Sequence, residues 1–280
     1  MKRRKFIRNS ILGALALGAP VGVYSWQIEP FWLEFVQLKM PIKNLPDALQ
    51  GKVLMQISDI HVGNVVDTEY LLASFKKAQG FQPDIVVYTG DFISYEDDTQ
   101  IEQLQEVLKH AVKGRLGTVG ILGNHDWGIG FNDPVVARKV TKTVEAAGIK
   151  ILANDKVNIN GLQVIGFDDL WSLNFFPEKV MDSYDASQAA LVLCHNPDAC
   201  DYEVWNGYKG WILSGHTHGG QCSVPLVGPP VLPVENKNYT SGLIDLKDGR
   251  NLYINRALGY TMPVRFNARP EITVFTLEKE

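Results

Sequence analysis

Side chains that can bind a metal ion follow five short apolar runs of the sequence. Each run is typical of a buried strand and leads into an aspartate, an asparagine or a histidine. These residues are Asp59 and His61, Asp91, Asn124, His195, and His216 and His218. Because ligands of open α/β sheets bind outside the carboxyl ends of the strands, we expect these side chains to converge. Of the 6 histidines in the chain, only His110 has no such context.

The types of these side chains indicate which metals they would hold. Carboxylate, amide oxygen and imidazole groups together suit Mn, Fe or Zn, whereas a structural zinc site uses thiolates. In Asp-x-His and His-x-His the two ligands would point to the same side of an extended backbone. The glycines before Asp91, Asn124 and His216 are expected to let the chain turn sharply. The set is too large for one catalytic ion, whereas two ions about 3.5–4 Å apart, bridged by one carboxylate, would use all of it.

In chain order the motifs are Asp-x-His, Gly-Asp, Gly-Asn-His-Asp, a single His and Gly-His-x-His. This order resembles the signature of the calcineurin-like metallophosphoesterases, and the likeness extends from about Glu29 to Glu280. Three further segments are similar to the bacterial YkuE/YaeI-type phosphodiesterase subgroup: His195-Asn196-Pro197-Asp198, Gly215 to Gln221, and Arg269-Pro270-Glu271-Ile272. The resemblance implies an α/β fold built as a four-layer α/β/β/α sandwich.

The same resemblance assigns a role to each candidate residue. It implies that Asp59, His61 and His218 hold one metal ion, that Asn124, His195 and His216 hold a second, and that Asp91 bridges the two. It also implies that His125 contacts the substrate phosphate or protonates the leaving group. If the backbone is extended here, His125 and its neighbour Asn124 point to opposite faces.

The function expected from this family is a metal-dependent phosphodiesterase or phosphatase. Two divalent ions would lower the pKa of a bridging water, and the resulting hydroxide would attack phosphorus. Two alternatives stay open. One is an enzyme like the UDP-2,3-diacylglucosamine pyrophosphate hydrolases of lipid A synthesis, and the other is a metal-binding module without catalysis. The substrate is expected to be a phosphoester, in one interpretation linked to a lipid or to the cell envelope.

The N-terminal segment, residues 1–28, is typical of an export signal or a membrane anchor. Arg3-Arg4-Lys5-Phe6-Ile7 resembles a twin-arginine signal, and the stretch from Asn9 to Ile28 carries no charge. Twenty such residues are near the length that spans a bilayer, and the basic residues precede them. We therefore expect the twin-arginine translocation machinery and the membrane as partners, with the catalytic domain on the outer face of the cell membrane.

The charge balance limits the binding partners. Residues 1–28 contain five basic side chains and no acidic one, so the remainder has 22 basic and 31 acidic residues and a formal charge of −9. A domain this acidic is not expected to bind nucleic acid, and it needs local cations to handle a phosphate. Walker A, Rossmann and G-x-S-x-G motifs are not present, which disfavours nucleotide-driven motors, dehydrogenases and serine hydrolases.

Hydrophobic periodicity predicts one catalytic domain over residues 29–280. Helices are predicted over 67–79, 100–112 and 134–147, between strands over 53–58, 85–89 and 118–122. After Gly148 the pattern changes to short strands with little helix between them, which predicts two sheets packed face to face. The apolar side chains from Trp171 to Phe176 fit either core packing, the favoured interpretation, or contact with an acyl chain or a membrane. The three cysteines are expected to be unpaired.

Overall fold

The computed structural model describes residue 3 and residues 18–280. Residues 18–23 are helical and run into a π-helical turn, Tyr24–Ile28. Four helices follow: α1 (Thr68–Gln79), α2 (Thr99–Leu108), α3 (Pro134–Ala146) and α4 (Glu178–Met181). The carboxylates of Asp67 and Asp133 cap the first turns of α1 and α3 by accepting hydrogen bonds from backbone N–H groups.

Within residues 18–280, twelve strands form two six-stranded sheets. The first sheet has the order β1 (Glu34–Ile42), β12 (Glu271–Lys279), β2 (Val53–Ile57), β3 (Ile85–Thr89), β4 (Gly117–Ile121) and β5 (Lys150–Ile151). The second has the order β10 (Gly242–Asp245), β11 (Arg250–Ile254), β9 (Gly210–Ser214), β8 (Ala189–Leu193), β7 (Leu162–Gly166) and β6 (Asp155–Ile159).

The strand directions bring the carboxyl ends of the central strands to one edge of each sheet. In the first sheet β2, β3 and β4 are parallel. The C-terminal strand β12 lies between β1 and β2, parallel to the former and antiparallel to the latter. In the second sheet β7, β8, β9 and β11 are parallel. A hairpin turn at Asp248-Gly249 joins β10 to the antiparallel β11.

Alternation along the strands separates the layers. In β3, Ile85 and Val87 face the second sheet, while Val86 and Tyr88 face α1, α2 and α3. The second sheet contributes residues such as Leu191 of β8 to the core between the two sheets. The outer face of the second sheet is covered by α4 and by loops that include Trp205. The observed layers confirm the α/β/β/α sandwich, although α4, the α-helix of its fourth layer within the described residues, is only one turn long.

The chain is tied to this sandwich from Ser25 onward. The Ser25 carbonyl accepts a hydrogen bond from the backbone N–H of Arg265. The fully buried Glu29 side chain accepts one from the backbone N–H of Ala268. Apart from Arg3, the predicted twin-arginine motif lies outside the described residues, as does most of the uncharged stretch after it. Within the described residues, no helix combines the length and apolar composition needed to cross a bilayer.

Candidate metal centre

All the predicted ligands lie at the edge where the two sheets meet. Asp59 and His61 follow β2, and Asp91 and Asn124 follow β3 and β4 of the same sheet. Three come from the second sheet: His195 follows β8, and His216 and His218 follow β9. Because both sheets present the carboxyl ends of parallel strands here, residues far apart in sequence share one small volume.

Four of these residues form one cluster. Asp59, His61, Asp91 and His218 are buried and offer ligand atoms that all lie within 4.8 Å of one another. Nε2 of His61 is 3.1 Å from Nε2 of His218, which in turn is 3.3 Å from Oδ1 of Asp59. Two carboxylates and two imidazoles around one point are a suitable ligand set for a divalent transition-metal ion.

A second cluster shares Asp91 with the first. Asp91, His195 and His216 again place ligand atoms within 4.8 Å of one another. Oδ2 of Asp91 lies 3.5 Å from Nε2 of His61, in the first cluster, and 3.3 Å from Nε2 of His195, in the second. Asn124 joins the second cluster, since its Oδ1 is 3.2 Å from Nε2 of His195. One carboxylate thus faces the imidazoles of both clusters.

The far nitrogens of three imidazoles are held by neighbouring oxygens. Nδ1 of His195 is 2.7 Å from the Thr89 carbonyl, and Nδ1 of His61 is 3.0 Å from the Ser94 hydroxyl. Nε2 of His216 lies 2.8 Å from the Pro233 carbonyl. Such partners fix the tautomer of a metal-binding histidine and orient its ring. They leave Nε2 free for ligation in His61 and His195, and Nδ1 in His216.

Four of the candidate ligands have protonation states that suit metal binding. Burial lowers the pKa of His61 and of His216 to about 3, so both rings are neutral near pH 7. Burial alone would raise the pKa of Asp59, but the hydrogen bond with His218 holds it at about 2. Asp91 is also buried, and the adjacent His195 lowers its pKa well below the ordinary value. Neutral imidazoles and ionised carboxylates are the forms that bind divalent ions. His195 is an exception: burial alone would lower its pKa, but the Asp91 carboxylate raises it well above the ordinary value, so a metal ion would have to displace its proton.

The backbone at these positions is left-handed, not extended as the sequence argument assumed. Five candidate ligands have positive φ angles: Asp59 at 51°, His61 at 46°, Asp91 at 52°, His216 at 69° and His218 at 53°. Non-glycine residues adopt this conformation rarely, and it costs of order 1–3 kcal/mol where it is imposed. The surrounding fold therefore holds these side chains in strained positions that bring them together.

Two of the glycines that precede candidate ligands are required by close packing and not by a sharp turn of the backbone. Gly90 has φ of 93°, as a sharp turn requires, but Gly123 and Gly215 are not in the left-handed region. A Cβ atom on Gly215 would collide with Asp59 Oδ2 and with the Ser58 hydroxyl, and one on Gly123 would collide with Asp91. These positions need the space that glycine leaves.

His125 lies at the open side of the clusters. It belongs to a 3-10 turn, Asn124–Trp127, so the expectation of extended backbone is wrong, although neighbours on such a turn still point in different directions. Its backbone N–H donates to Asp91 Oδ1 at 2.8 Å. The His125 ring contacts those of His61 and Phe131, with centroids 4.9 and 5.1 Å away. It lines a cavity of about 290 Å³ that also contains Asp91 and His216.

Three buried residues around the clusters were missed by the sequence argument. The Ser58 hydroxyl contacts the Asp59 carboxylate and accepts a hydrogen bond from Thr89. Asp126 accepts hydrogen bonds from three backbone N–H groups and so fixes the loops that follow β3 and β4. Asp169 is buried with Oδ1 unpartnered, and burial raises its pKa to about 7. The signal for Asp169 was present, since it too follows a buried strand, β7.

The apolar segment after Asp169 is not packed in the core as the favoured interpretation held. Leu173 is 73% exposed, and Trp171 and Phe176 are also exposed. Leu170 and Phe175 pack inward, the latter against Phe167 and near Tyr202. The Trp171 ring meets the His216 ring edge to face, with centroids 4.5 Å apart, and forms one wall of the cavity. The cysteines Cys194, Cys200 and Cys222 are free, as expected.

Comparison with known proteins places this geometry in a family. The sequence profile of the calcineurin-like phosphoesterases matches residues 52–220. The metallophosphoesterase YkuE of Bacillus subtilis is 32% identical, with 99% of this chain and 98% of that protein covered. The phosphodiesterase YaeI of Escherichia coli is 29% identical, with 99% of each covered. The UDP-2,3-diacylglucosamine pyrophosphatase LpxG of Chlamydia muridarum is 24% identical, with 96% and 97% covered.

Proposed function

Because the chain belongs to the calcineurin-like phosphoesterase family, we propose that it hydrolyses phosphodiesters or phosphomonoesters at a binuclear metal site outside the cytoplasmic membrane. The family makes the protein a metal-dependent hydrolase. The observation that carries the binuclear assignment is the position of Asp91, whose Oδ2 faces both His61 and His195. We assign Asp59, His61 and His218 to one ion, Asn124, His195 and His216 to the other, and Asp91 to both.

The residues present fit such ions. The clustered atoms are nitrogens and carboxylate or amide oxygens, and the other ring nitrogens of three histidines already have partners. Mn, Fe and Zn all accept this set. When bound, two divalent ions supply positive charge for phosphoryl oxygens and make water more acidic. That charge explains how a domain with a formal charge of −9 can process an anion.

The protein's own groups complete the reaction. Hydrolysis joins the oxygen of water to phosphorus and breaks the bond between phosphorus and the ester oxygen, which leaves as an alcohol once it gains a proton. We assign delivery of that proton to His125, which lines the cavity beside Asp91. The bond from its backbone N–H to Asp91 Oδ1 fixes its position relative to the clusters. Trp171 and Phe131, with centroids 5.8 Å apart, restrict the cavity on the side of His125 and His216.

The test is turnover of bis(para-nitrophenyl) phosphate and para-nitrophenyl phosphate by the full chain loaded with Mn, Fe or Zn. We expect metal-dependent hydrolysis that the Asp91→Ala variant loses. Folded wild-type protein that binds metal but hydrolyses neither compound would contradict the proposal and favour the non-catalytic binding module.

The proposed location is supported by the N-terminal sequence. Arg3 and Arg4 precede an uncharged stretch from Asn9 to Ile28, as in twin-arginine export signals and anchors. Export is tested by fusing the chain to a reporter that is active only outside the cytoplasm. Replacing Arg3 and Arg4 by Lys is expected to abolish reporter activity. Full activity of that variant would exclude the twin-arginine route.

A second candidate function is hydrolysis of a nucleotide-linked lipid. It is favoured by the similarity to LpxG and by the apolar walls of the cavity, which include Trp171 and Met262. A nucleotide sugar is a cytosolic substrate, so the location of the catalytic domain separates the two candidates. Turnover of UDP-2,3-diacylglucosamine by a catalytic domain facing the cytoplasm would favour the second.

A further inference from the structure

The mouth of the cavity is surrounded by apolar side chains exposed to solvent. Val231 and Met262 line it and are 74% and 62% exposed. Beside Val231 the loop 224–228 closes on itself through hydrogen bonds between Val224 and Gly228. At its tip Leu226 is fully exposed and Val227 is 80% exposed. A group of exposed apolar side chains around a site marks a surface that binds an apolar partner.

The loops that form this rim carry no charge. No charged side chain occurs from Gly219 to Val234, from Ala257 to Val264, or from Leu170 to Pro177. This is unusual for a domain whose remaining surface is strongly acidic. A surface of this kind is poorly suited to water and to charged protein partners, but it suits the acyl boundary of a lipid layer.

The N-terminal segment leaves the domain beside the same rim. The Ser25 carbonyl accepts a hydrogen bond from Arg265, and the next residue, Phe266, donates its N–H to the Gln221 carbonyl. The Phe266 carbonyl accepts one from Ser223, at the base of the loop 224–228. The Gln221 side chain in turn bonds to Thr261, on the wall of the cavity. Two consecutive residues thus connect the N-terminal segment to the rim loop.

The described stretch of that segment just before Tyr24 is apolar and exposed to solvent. Residues 18–23, Gly-Ala-Pro-Val-Gly-Val, are helical and exposed at every position. Trp26 and Ile28 are also exposed. A helix that is apolar on all sides is usually buried in protein or in lipid. In the sequence this stretch continues without a charge back to Asn9.

From this shared exit point we propose that the rim of the cavity docks on the surface of a lipid bilayer, with Leu226 and Val227 inserted, and that the site acts on phosphoesters of amphiphiles held in that surface. The inference rests on the proposed phosphoesterase function for its substrate, but the docking itself does not. The segment before Ser25 and the rim enter the same bilayer, so the cavity opens toward it. The apolar part of the substrate stays in the lipid while its phosphoester reaches the clusters.

Docking is tested without reference to activity. The full chain with Cys222→Ser and Leu226→Cys is labelled with an environment-sensitive fluorophore and reconstituted in vesicles of phosphatidylethanolamine and phosphatidylglycerol. Leu116→Cys is the matched control, because Leu116 is an exposed apolar residue just before β4, at the sheet edge opposite to the site. We expect lipids with a nitroxide on the acyl chain to quench the label at 226 and not at 116. Equal quenching at both positions, or no quenching at 226, would overturn the proposal. So would a change in fluorescence at 226 that depends on protein concentration and not on lipid, because it would indicate contact between copies of the protein.

Substrate choice is tested with the Leu226→Asp/Val227→Asp variant, neither of whose positions lines the cavity. We expect roughly a tenfold or greater loss of hydrolysis of a diacyl phosphatidyl-para-nitrophenol in vesicles, with no change for soluble bis(para-nitrophenyl) phosphate. Leu116→Asp should change neither rate. Equal effects on both substrates, or none on either, would contradict the inference. If wild-type protein hydrolyses neither substrate, the proposed function fails, while the quenching result still decides whether the rim docks.

Discussion

Nε2 of His61 lies 3.1 Å from Nε2 of His218, although the two residues come from different sheets. Two unprotonated ring nitrogens at this distance repel each other. Nitrogens that share one divalent ion at about 2.1 Å each lie no more than about 4.2 Å apart. Burial lowers the pKa of His61 to about 3, so its ring is neutral near pH 7 and its Nε2 lone pair can bind either the N–H of His218 or a cation shared with His218.

His125 is expected to act in the chemical step and not in metal binding. The His125→Asn variant should keep its fold and both ions but lose about 10²–10⁴ in kcat on poor leaving groups, because protonation of the leaving group is lost. The loss should be smaller for nitrophenol esters. Steady-state kinetics over a series of leaving groups, with metal content measured in parallel, checks this. His110→Asn, at an exposed position after α2, should leave kcat unchanged.

Two results would contradict that role. Loss of metal from His125→Asn would make the residue a ligand or a structural group. A loss of rate that does not vary with the leaving group would mean that His125 stabilises charge on the phosphoryl group instead.

Gly215 is expected to tolerate no side chain. In Gly215→Ala the new Cβ would meet Asp59 Oδ2 and the Ser58 hydroxyl, and both neighbours are buried. We expect at least about a tenfold loss of affinity for the first ion, measured by calorimetric titration of metal-depleted protein, and a lower unfolding temperature. Gly80→Ala, at the C-cap of α1, is the control and should bind metal normally. Normal binding by Gly215→Ala would show that the loop after β9 can move away from Asp59.

Asp169 should make metal-depleted protein less stable as pH rises. Burial raises its pKa to about 7 in the folded state, above the ordinary value of about 3.9. Between these values the folded state retains a proton that the unfolded state has lost, so the free energy of unfolding falls as pH increases. Asp169→Asn removes this effect. Its free energy of unfolding, measured by denaturant titration, should exceed that of wild type at about pH 8 by more than at about pH 5, and the two gaps should differ by on the order of a few kcal/mol. A gap that does not widen with pH would show that Asp169 is not desolvated as described.

The convergence of the candidate ligands and the sandwich were predictable because both depend on local pattern. Short apolar runs predicted the central strands, and the carboxyl ends of parallel strands must share an edge. The position of β12 between β1 and β2 was not predictable, since it depends on pairing between residues such as Phe275 and Leu54 that are far apart in sequence. The left-handed backbone conformation at Asp59 and His216 could not be predicted either, because it results from the surrounding fold and not from residue type.

Two predictions near the rim were wrong because the burial of loop side chains does not follow from the sequence pattern. Composition predicted core packing for Trp171 and Leu173, but both are exposed beside the cavity. Conversely, Asp169 was overlooked although it also closely follows the carboxyl end of a buried strand, as the candidate ligands do. Whether a side chain after a strand faces the clusters or the solvent depends on the loop, and loop conformation is not encoded in periodicity.

The number of metal ions bound per chain is the most direct test of the binuclear site, which requires two ion positions joined by Asp91. Elemental analysis and calorimetric titration of the full wild-type chain are expected to give two divalent ions per chain. Asp91→Ala should lose both, whereas His61→Ala should mainly weaken the first, because the second cluster does not include His61. A single tightly bound ion in active wild-type protein, or an Asp91→Ala variant that retains two ions, would contradict the binuclear site.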